Sequence, residues 1–163
     1  MNVLTINLIA STVIFWIGLR IYLLPRLTEF SPNSLLVPIL LLHATRHWGL
    51  MFLSPGAVYS GMPTSFAYPA AMGDLIAAIL ALACLVALTS RWGIAVLLLW
   101  IFSIEGSADL VVAISLATIH GADRFMGAAY WIPAFWVPAL LVTHAVVFIL
   151  LTRYGSRIVK ANA

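Results

Sequence analysis

Five long apolar stretches alternate with short polar stretches along this chain of 163 residues. An α-helix needs about 20 apolar residues to cross the hydrocarbon core of a bilayer, and each stretch is long enough to do so. We predict one helix for each stretch, over residues 3–24, 35–54, 70–88, 94–119 and 129–151. Clusters of proline, glycine, serine and asparagine between the stretches predict short turns. The pattern predicts an all-α integral membrane protein, with residues 1–163 forming a single bundle of five transmembrane helices.

The composition excludes a water-soluble globule. Hydrophobic residues make up 64% of the chain and charged residues only 8%, whereas soluble domains carry about 25% charged residues. Intrinsic disorder is excluded as well, because it requires low hydrophobicity and high charge. The net charge of +3 does not indicate nucleic acid as a partner, because the basic residues border the apolar stretches and report topology instead. The expected partners are membrane lipids.

The basic residues predict how the helices are oriented. With five spans, one side of the membrane receives six of them: Arg20, Arg26, Arg91, Arg153, Arg157 and Lys160. The other side receives Arg124, which follows Asp123. Because Lys and Arg concentrate in cytoplasmic loops, we predict an N-terminus outside and a C-terminus in the cytoplasm. We expect a multi-pass protein in the cytoplasmic (inner) membrane of a bacterium.

Ionisable side chains inside the predicted spans are the strongest indication of function. A charged group at the bilayer centre costs roughly 2.5–3.5 kcal/mol on insertion scales, so such groups usually pair and mark a functional site. With a rise of about 1.5 Å per residue, His43, Arg46 and His47 of the second span lie within ~3 Å of the midplane. Glu105 of the fourth span lies close to the midplane as well, and Asp109 lies about 6 Å further out.

Helical spacing predicts that these groups face each other. His43 and His47 are four residues apart, as are Glu105 and Asp109, and residues four apart share a helix face. We therefore expect Arg46, together with His47, to meet the two carboxylates of the fourth span. With Asp74 of the third span closing the outer side, three carboxylates would surround one guanidinium group. Because this excess of negative charge is unfavourable in a low dielectric, we expect the cluster to retain at least one proton or cation.

The leading hypothesis is a binding or acid–base catalytic site for a small lipophilic molecule, as in an isomerase or hydrolase of a lipid. Glu105 is the expected acid or base, with Asp109 and His47 as its partners and Arg46 as its counter-charge. The alternative is a buried ion pair that only fixes the packing of the helices.

Two further side chains, Asp74 and Trp48, are assigned to substrate binding. Asp74 is placed there because it would close the outer side of the charged groups. Trp48 is assigned with it, although tryptophans near the ends of spans also serve as interfacial and packing residues.

A redox protein is a second hypothesis. His43 and His144 lie on different predicted helices at depths ~5 Å apart, so they could bind one haem b between them or hold a quinone. A metal site is not predicted. Arg46 lies between the two histidines of the second span and disfavours a cation. The sequence His-Ala-Thr-Arg-His also lacks the glutamate of the zincin motif.

A third hypothesis is an accessory subunit of a larger membrane complex, in which the charged groups meet a partner helix. A proton-coupled transporter is the remaining alternative. The chain shows no inverted repeat of the kind that such transporters often carry, so this alternative requires a homo- or hetero-oligomer. The sequence contains no P-loop, dinucleotide fingerprint or nucleophile elbow.

Overall fold

The computed structural model describes residues 2–158, which are helical apart from short loops and contain no β-strand. Five helical spans are long and apolar enough to cross a membrane: Val3–Arg26, Pro32–Leu53, Thr64–Thr89, Ala95–Ile119 and Gly127–Ser156. The predicted all-α architecture with five long apolar helices is therefore confirmed. Lys160, counted above among the basic residues, lies outside the described residues.

Regular α-helix makes up most of these spans: α1 (Val3–Gly18), α2 (Pro32–Ala44), α3 (Thr64–Thr89), α4 (Ala95–Ile119) and α5 (Val137–Ile158). Irregular turns complete three of them. A π-helical turn (Leu19–Leu23) and a 3₁₀ turn (Leu24–Arg26) extend α1, and a 3₁₀-helix (Thr45–Leu53) extends α2. A 3₁₀ turn (Ala122–Phe125) follows α4, and a second one (Gly127–Tyr130) and a π-helical turn (Ile132–Trp136) precede α5.

The third span begins at Thr64 rather than at the predicted Ala70. The prolines on either side of this start had indicated a loop. Pro63 instead forms the N-terminal cap, and its carbonyl accepts a hydrogen bond from the main-chain N–H of Ala67 at 2.9 Å. Pro69 lies inside the helix, where its missing N–H removes only one helical hydrogen bond.

Four of the helices close into a ring, and α1 packs on the outside. Around the ring, α2 contacts α3, α3 contacts α4, α4 contacts α5 and α5 contacts α2. α1 packs mainly against α5 and the turn before it, and only 6% of its most apolar stretch is buried. Alanines let α3 approach its neighbours closely, because small side chains allow helix backbones to come together. The fully buried ones are Ala71, Ala77, Ala81 and Ala87.

Two apolar cores fill the bundle, one toward each end. The end that carries Arg91, here called the Arg91 end, has a core with Leu36, Leu40, Leu99, Phe102 and Val147. The opposite end, here called the Met126 end, has a core with Phe66, Leu110, Met126, Ala129 and Leu140. A layer of polar side chains lies between the cores and is called the polar cluster below: His43, Arg46, Asp74, Glu105, Asp109 and His144. Every helix of the ring contributes to this layer.

Two loops are joined at the Met126 end. The main-chain N–H of Tyr59 donates to the carbonyl of Phe125 at 2.8 Å, and that of Ala129 donates to the carbonyl of Ala57 at 3.0 Å. Gly127 lies at this contact with a φ of +48°, and a β-carbon there would lie 2.9 Å from the Ala57 carbonyl oxygen. Only glycine suits both the left-handed backbone and the close approach.

Candidate functional site

The second span tightens from an α-helix into a 3₁₀-helix at Thr45, and this change decides which side chains point inward. In a 3₁₀-helix, residues three apart lie one above the other. The buried residues are spaced accordingly: His43, Arg46, Gly49 and Phe52. His47 is exposed and lies on another face. The prediction that His43 and His47 share a face was wrong, because it assumed α-helical spacing.

Arg46 is only 1% exposed and connects its helix to α3 and α4. Its Nε donates to Asp74 Oδ1 at 2.8 Å, and its Nη2 donates to Asp109 Oδ2 at 2.5 Å. Its Nη1 donates to the main-chain carbonyl of Gly106 at 3.2 Å. The planar guanidinium group can hold two carboxylates and a carbonyl at once, which a lysine ammonium could not do in this geometry. The contacts expected of Arg46 with Asp109 and with Asp74 are therefore present.

Glycines on neighbouring helices make room for both carboxylates. A β-carbon at Gly49 would overlap the carboxyl group of Asp74, and one at Gly73 would overlap that of Asp109. Each carboxylate thus lies against the bare backbone of the preceding span. A larger residue at either glycine would push the ion pairs apart.

A third glycine, Gly106 of α4, makes room for a histidine. A β-carbon there would overlap the His144 ring and the Arg46 guanidinium group, so these two groups lie side by side against the α4 backbone. The three glycines were not predicted as part of the site. The available signal was their position beside charged or aromatic residues, as where Gly106 follows Glu105.

Glu105 belongs to the polar cluster but is not hydrogen bonded within it. Its Oε2 atom is buried and has no hydrogen-bond partner among residues 2–158. It lies close enough to Arg46 and Asp74 for their charges to interact with its own. His47, predicted to meet Glu105 and Asp109, contributes nothing here, because its ring Nδ1 bonds to the Ala44 carbonyl of its own helix at 3.0 Å.

His43 and His144 form a pair of buried rings, 0% and 2% exposed, with centroids 4.3 Å apart. The Thr143 hydroxyl donates to the Ala139 carbonyl at 2.9 Å, so it must accept from His43 Nε2, which lies 2.9 Å away. His43 Nδ1 and His144 Nε2 are buried without a hydrogen-bond partner among residues 2–158. The ring of Phe102 lies 5.0 Å from each histidine and closes the site toward the Arg91 end.

The pair does not fit a haem. An iron with two axial histidines needs about 2 Å to each nitrogen, on opposite faces of a porphyrin. The two rings are in direct contact instead, and His43 Nε2 is already hydrogen bonded to Thr143. Within residues 2–158, no three side chains among His, Cys, Asp and Glu come together as metal ligands.

A cavity of about 100 Å³ lies between the polar cluster and the Met126 end. Most of its wall is apolar and comes from α1, α3, α4 and the start of the fifth span, with Leu4, Phe66, Leu110, Ala117 and Ile132 among the lining residues. Asn2 and Thr118 contribute polar groups near the helix ends, and Asp74 supplies the one carboxylate of the wall. Asp74 Oδ1 accepts from Arg46, while its Oδ2 accepts no hydrogen bond from residues 2–158. This is the place where the polar cluster meets a space that can hold a molecule.

Trp48, predicted to bind the substrate, lies elsewhere. It is 39% exposed and packs against Trp131 and Trp136, with ring centroids 5.7 Å and 5.4 Å away. The π-helical turn before α5 places Trp131 and Trp136 on the same side, because residues five apart are paired in a π-helix. Trp131 and Trp136 are half-buried against the core at the Met126 end. The three rings, called the tryptophan cluster below, do not line the cavity.

Fold and site together define an all-helical protein with five membrane-compatible helices and an ion-pair cluster buried in its centre. The comparison with family models places the chain more closely. Residues 3–152 match the family described as a domain of unknown function, DUF8737, and the chain belongs to this family. No curated protein matches the chain. No solved structure matches it either.

Proposed function

We propose that the chain spans the cytoplasmic membrane of a bacterium five times, with the Met126 end outside and the Arg91 end in the cytoplasm. The five apolar helices and the basic residues support this orientation. Arg20, Arg26, Arg91 and Arg153 belong to the Arg91 end, whereas Arg124 belongs to the Met126 end. Because Lys and Arg are enriched in cytoplasmic loops, this distribution favours a cytoplasmic location for the Arg91 end.

Single cysteines introduced into two exposed loop positions test this topology. Cys84 is buried and is first replaced by serine. A membrane-impermeant maleimide should label Ser60→Cys, at the Met126 end, in intact cells. It should label Ser90→Cys, at the Arg91 end, only after the cells are permeabilised. The reverse pattern would refute the orientation, and equal labelling of both in intact cells would refute a third span that crosses the membrane in one orientation.

We further propose that the protein binds a small lipophilic molecule in the cavity between Asp74 and the Met126 end. The observation that carries this proposal is an apolar cavity whose single carboxylate is held in place by Arg46. Apolar walls with a few placed polar groups are typical of ligand sites. An engineered cavity of about 150 Å³ binds benzene, and the present cavity is smaller, at about 100 Å³, so it suits at most one small ring or a short chain. The Asp74 carboxylate would accept a hydrogen bond from a hydroxyl or amine on that group.

Phenol and toluene are matched probes for this cavity. They have nearly the same size, but only phenol can donate a hydrogen bond to Asp74. We expect phenol to stabilise the purified protein against thermal unfolding at a lower concentration than toluene, by roughly tenfold for a hydrogen bond to a charged group. Asp74→Asn should remove most of that preference. Equal effects of both probes on the unaltered protein would contradict the role of Asp74.

Acid–base chemistry at the same cavity is a second candidate, and the unpartnered Glu105 favours it. Two carboxylates of the polar cluster bond to its guanidinium group, and the third, that of Glu105, lies near it without a hydrogen bond. We propose that a bound molecule gives its proton to the Asp74 carboxylate, that this proton passes on to the Glu105 carboxylate, and that the reverse transfer returns it. Para-nitrophenol tests this, because its absorbance reports whether it has lost its proton. At a pH where free para-nitrophenol is mostly protonated, the bound molecule should be more ionised than the free one, and Glu105→Gln should change that fraction without preventing binding. An unchanged spectrum would leave simple binding as the function.

The proposal does not include a path for protons or solutes through the whole bundle. The core at the Arg91 end is closed by the fully buried side chains of Leu36, Leu40, Leu99 and Phe102. The cavity lies on the opposite side of the polar cluster. The proposed site therefore exchanges molecules with the outer half of the membrane.

A further inference from the structure

His47 has a defined hydrogen-bonding state on the outer surface of the second span. Its Nδ1 lies 3.0 Å from the main-chain carbonyl of Ala44. Because a carbonyl oxygen can only accept, Nδ1 carries the proton, and in the neutral ring Nε2 is left as an acceptor. Nε2 accepts no hydrogen bond from residues 2–158, and the ring is exposed. A single acceptor thus faces outward at a fixed position.

The surroundings of this acceptor are aromatic. The Trp48 ring lies 6.0 Å from the His47 ring, edge to face, and leads into the tryptophan cluster. Both irregular helical segments are needed for this arrangement. The 3₁₀-helix turns His47 outward, and the π-helical turn brings Trp131 and Trp136 together.

The depth of His47 along the second span makes an acceptor without a hydrogen bond unfavourable. Counting about 1.5 Å per residue in α-helix and about 2.0 Å in 3₁₀-helix, the second span is roughly 37 Å long and His47 lies roughly 25 Å from its start. If the chain spans the membrane as proposed above, this level is within the hydrocarbon region. Polar groups there are costly unless they are hydrogen bonded.

We propose that His47 and the tryptophan cluster form a second binding site, open to the lipid, for a ring lipid that carries a hydroxyl group. The hydroxyl would donate to His47 Nε2, and the ring system would lie against Trp48, Trp131 and Trp136. Large aromatic side chains offer rigid apolar contact area. Sterols and quinols share this chemistry. The site is on another face of the fifth span than the cavity, whose wall includes Ile132, Pro133 and Val137.

Energy transfer from tryptophan to dehydroergosterol, a fluorescent sterol, tests the site. The purified protein is reconstituted into phosphatidylcholine vesicles and recovered with them by flotation, so failure to insert is seen before any binding is measured. The methyl ether of the same sterol is the matched probe without a hydroxyl donor. We expect transfer to the sterol to saturate at roughly 3- to 10-fold lower mole fraction than transfer to the ether, as for one net hydrogen bond.

Variants then assign the preference to one atom. His47→Phe keeps a ring beside Trp48 but removes the acceptor. In this variant, energy transfer to the sterol and to its ether should saturate at the same mole fraction. His47→Gln supplies another acceptor and should restore part of the preference. Trp92→Phe, at an exposed tryptophan of the Arg91 end, should leave the preference intact. Competition by unlabelled sterol or by a short-chain quinol then tells the two lipid classes apart.

Three outcomes would overturn the proposal. The first is equal saturation by sterol and ether in the unaltered protein. The second is a preference that survives in His47→Phe. The third is a second copy of the chain on this face. Leu50 lies three residues after His47 on the same exposed stripe, so high-yield disulfide cross-linking of Leu50→Cys in a Cys84→Ser background, with no sterol bound, would show such a dimer.

Discussion

Toward the Arg91 end, the ring helices are regular, and Leu36, Leu99 and Phe102 are fully buried between them. Toward the Met126 end, the second span is a 3₁₀-helix and the fifth begins with a π-helical turn. The cavity lies in this second half. Both halves are made of apolar residues, so hydrophobicity does not separate them. What differs is whether each helix keeps the same number of residues per turn along its length.

The irregular half shows how polar groups can be brought to the centre of an apolar bundle. Regular helices pack by ridges and grooves and leave little space. A change of helical period rotates the side chains that follow it. In this protein the rotation directs Arg46 inward and His47 outward. Irregular helical turns are frequent at functional sites, and here they lie beside both proposed binding sites.

The largest effect is expected at Arg46, which lies where the two halves meet. Arg46→Met removes the cation that contacts both Asp74 and Asp109. Losing one partner of a buried ion pair costs about 3–5 kcal/mol, because the remaining charges are left uncompensated. Equilibrium unfolding of the purified protein in mixed micelles measures this loss. Arg124→Met, at an exposed arginine, should change the free energy of unfolding by less than about 0.5 kcal/mol.

Neutralising the carboxylates at the same time separates charge from packing. The triple variant Arg46→Met, Asp74→Asn and Asp109→Asn removes both ion pairs but leaves no charge at these three positions. It should recover a large part of the lost stability, since replacing a whole buried ion pair is often nearly neutral. If the triple variant is as unstable as Arg46→Met alone, the guanidinium group acts mainly through its packing, and the electrostatic account is wrong.

Two leucines of α4 compare the halves directly. Leu99 is fully buried toward the Arg91 end, whereas Leu110 is equally buried but borders the cavity. Truncating a buried leucine to alanine costs about 2–5 kcal/mol, with the higher values where the surroundings cannot relax. We expect Leu99→Ala near the upper value and Leu110→Ala near the lower one, by the same unfolding measurement. Equal losses would mean that the Met126 end is as tightly packed as the Arg91 end.

A smaller loss of stability is expected from adding one methyl group at Gly106, where the two halves meet. Gly106→Ala places a β-carbon against the His144 ring and the Arg46 guanidinium group. Overpacking of this kind costs typically about 1–3 kcal/mol. Gly18→Ala is the matched control, because its β-carbon would meet nothing within 4 Å and alanine favours a helix by about 0.5–1 kcal/mol. The two substitutions should therefore change the unfolding free energy in opposite directions.

Much of the fold could be predicted from the sequence, because it follows from where apolar runs begin and end. The level of the polar cluster could also be predicted, since it needs only the count of residues from each helix start. Which side chains face each other could not be predicted in the second span. There the assumption of α-helical spacing gave His47 a place beside His43, and the 3₁₀-helix removed it.

The cavity and the glycine contacts could not be predicted for a different reason. They depend on which helices are neighbours in the ring, and a pattern along one chain does not contain that order. Asp74 was correctly expected to join the charged groups around Arg46. That it also lines a cavity is visible only once α1, α3 and α4 are seen together.

The smallest effect on stability, and the sharpest test of the irregular half, is expected from filling the cavity. Ala117 of α4 lines it, whereas Ala108 of the same helix is exposed. Ala117→Leu places apolar atoms in existing space, so it should change the free energy of unfolding by about 1 kcal/mol or less, in either direction. It should nevertheless abolish the thermal stabilisation by phenol, while Ala108→Leu should leave that stabilisation unchanged. If phenol still stabilises Ala117→Leu to the full extent, the molecule binds outside the cavity, and the difference between the two halves is one of packing alone.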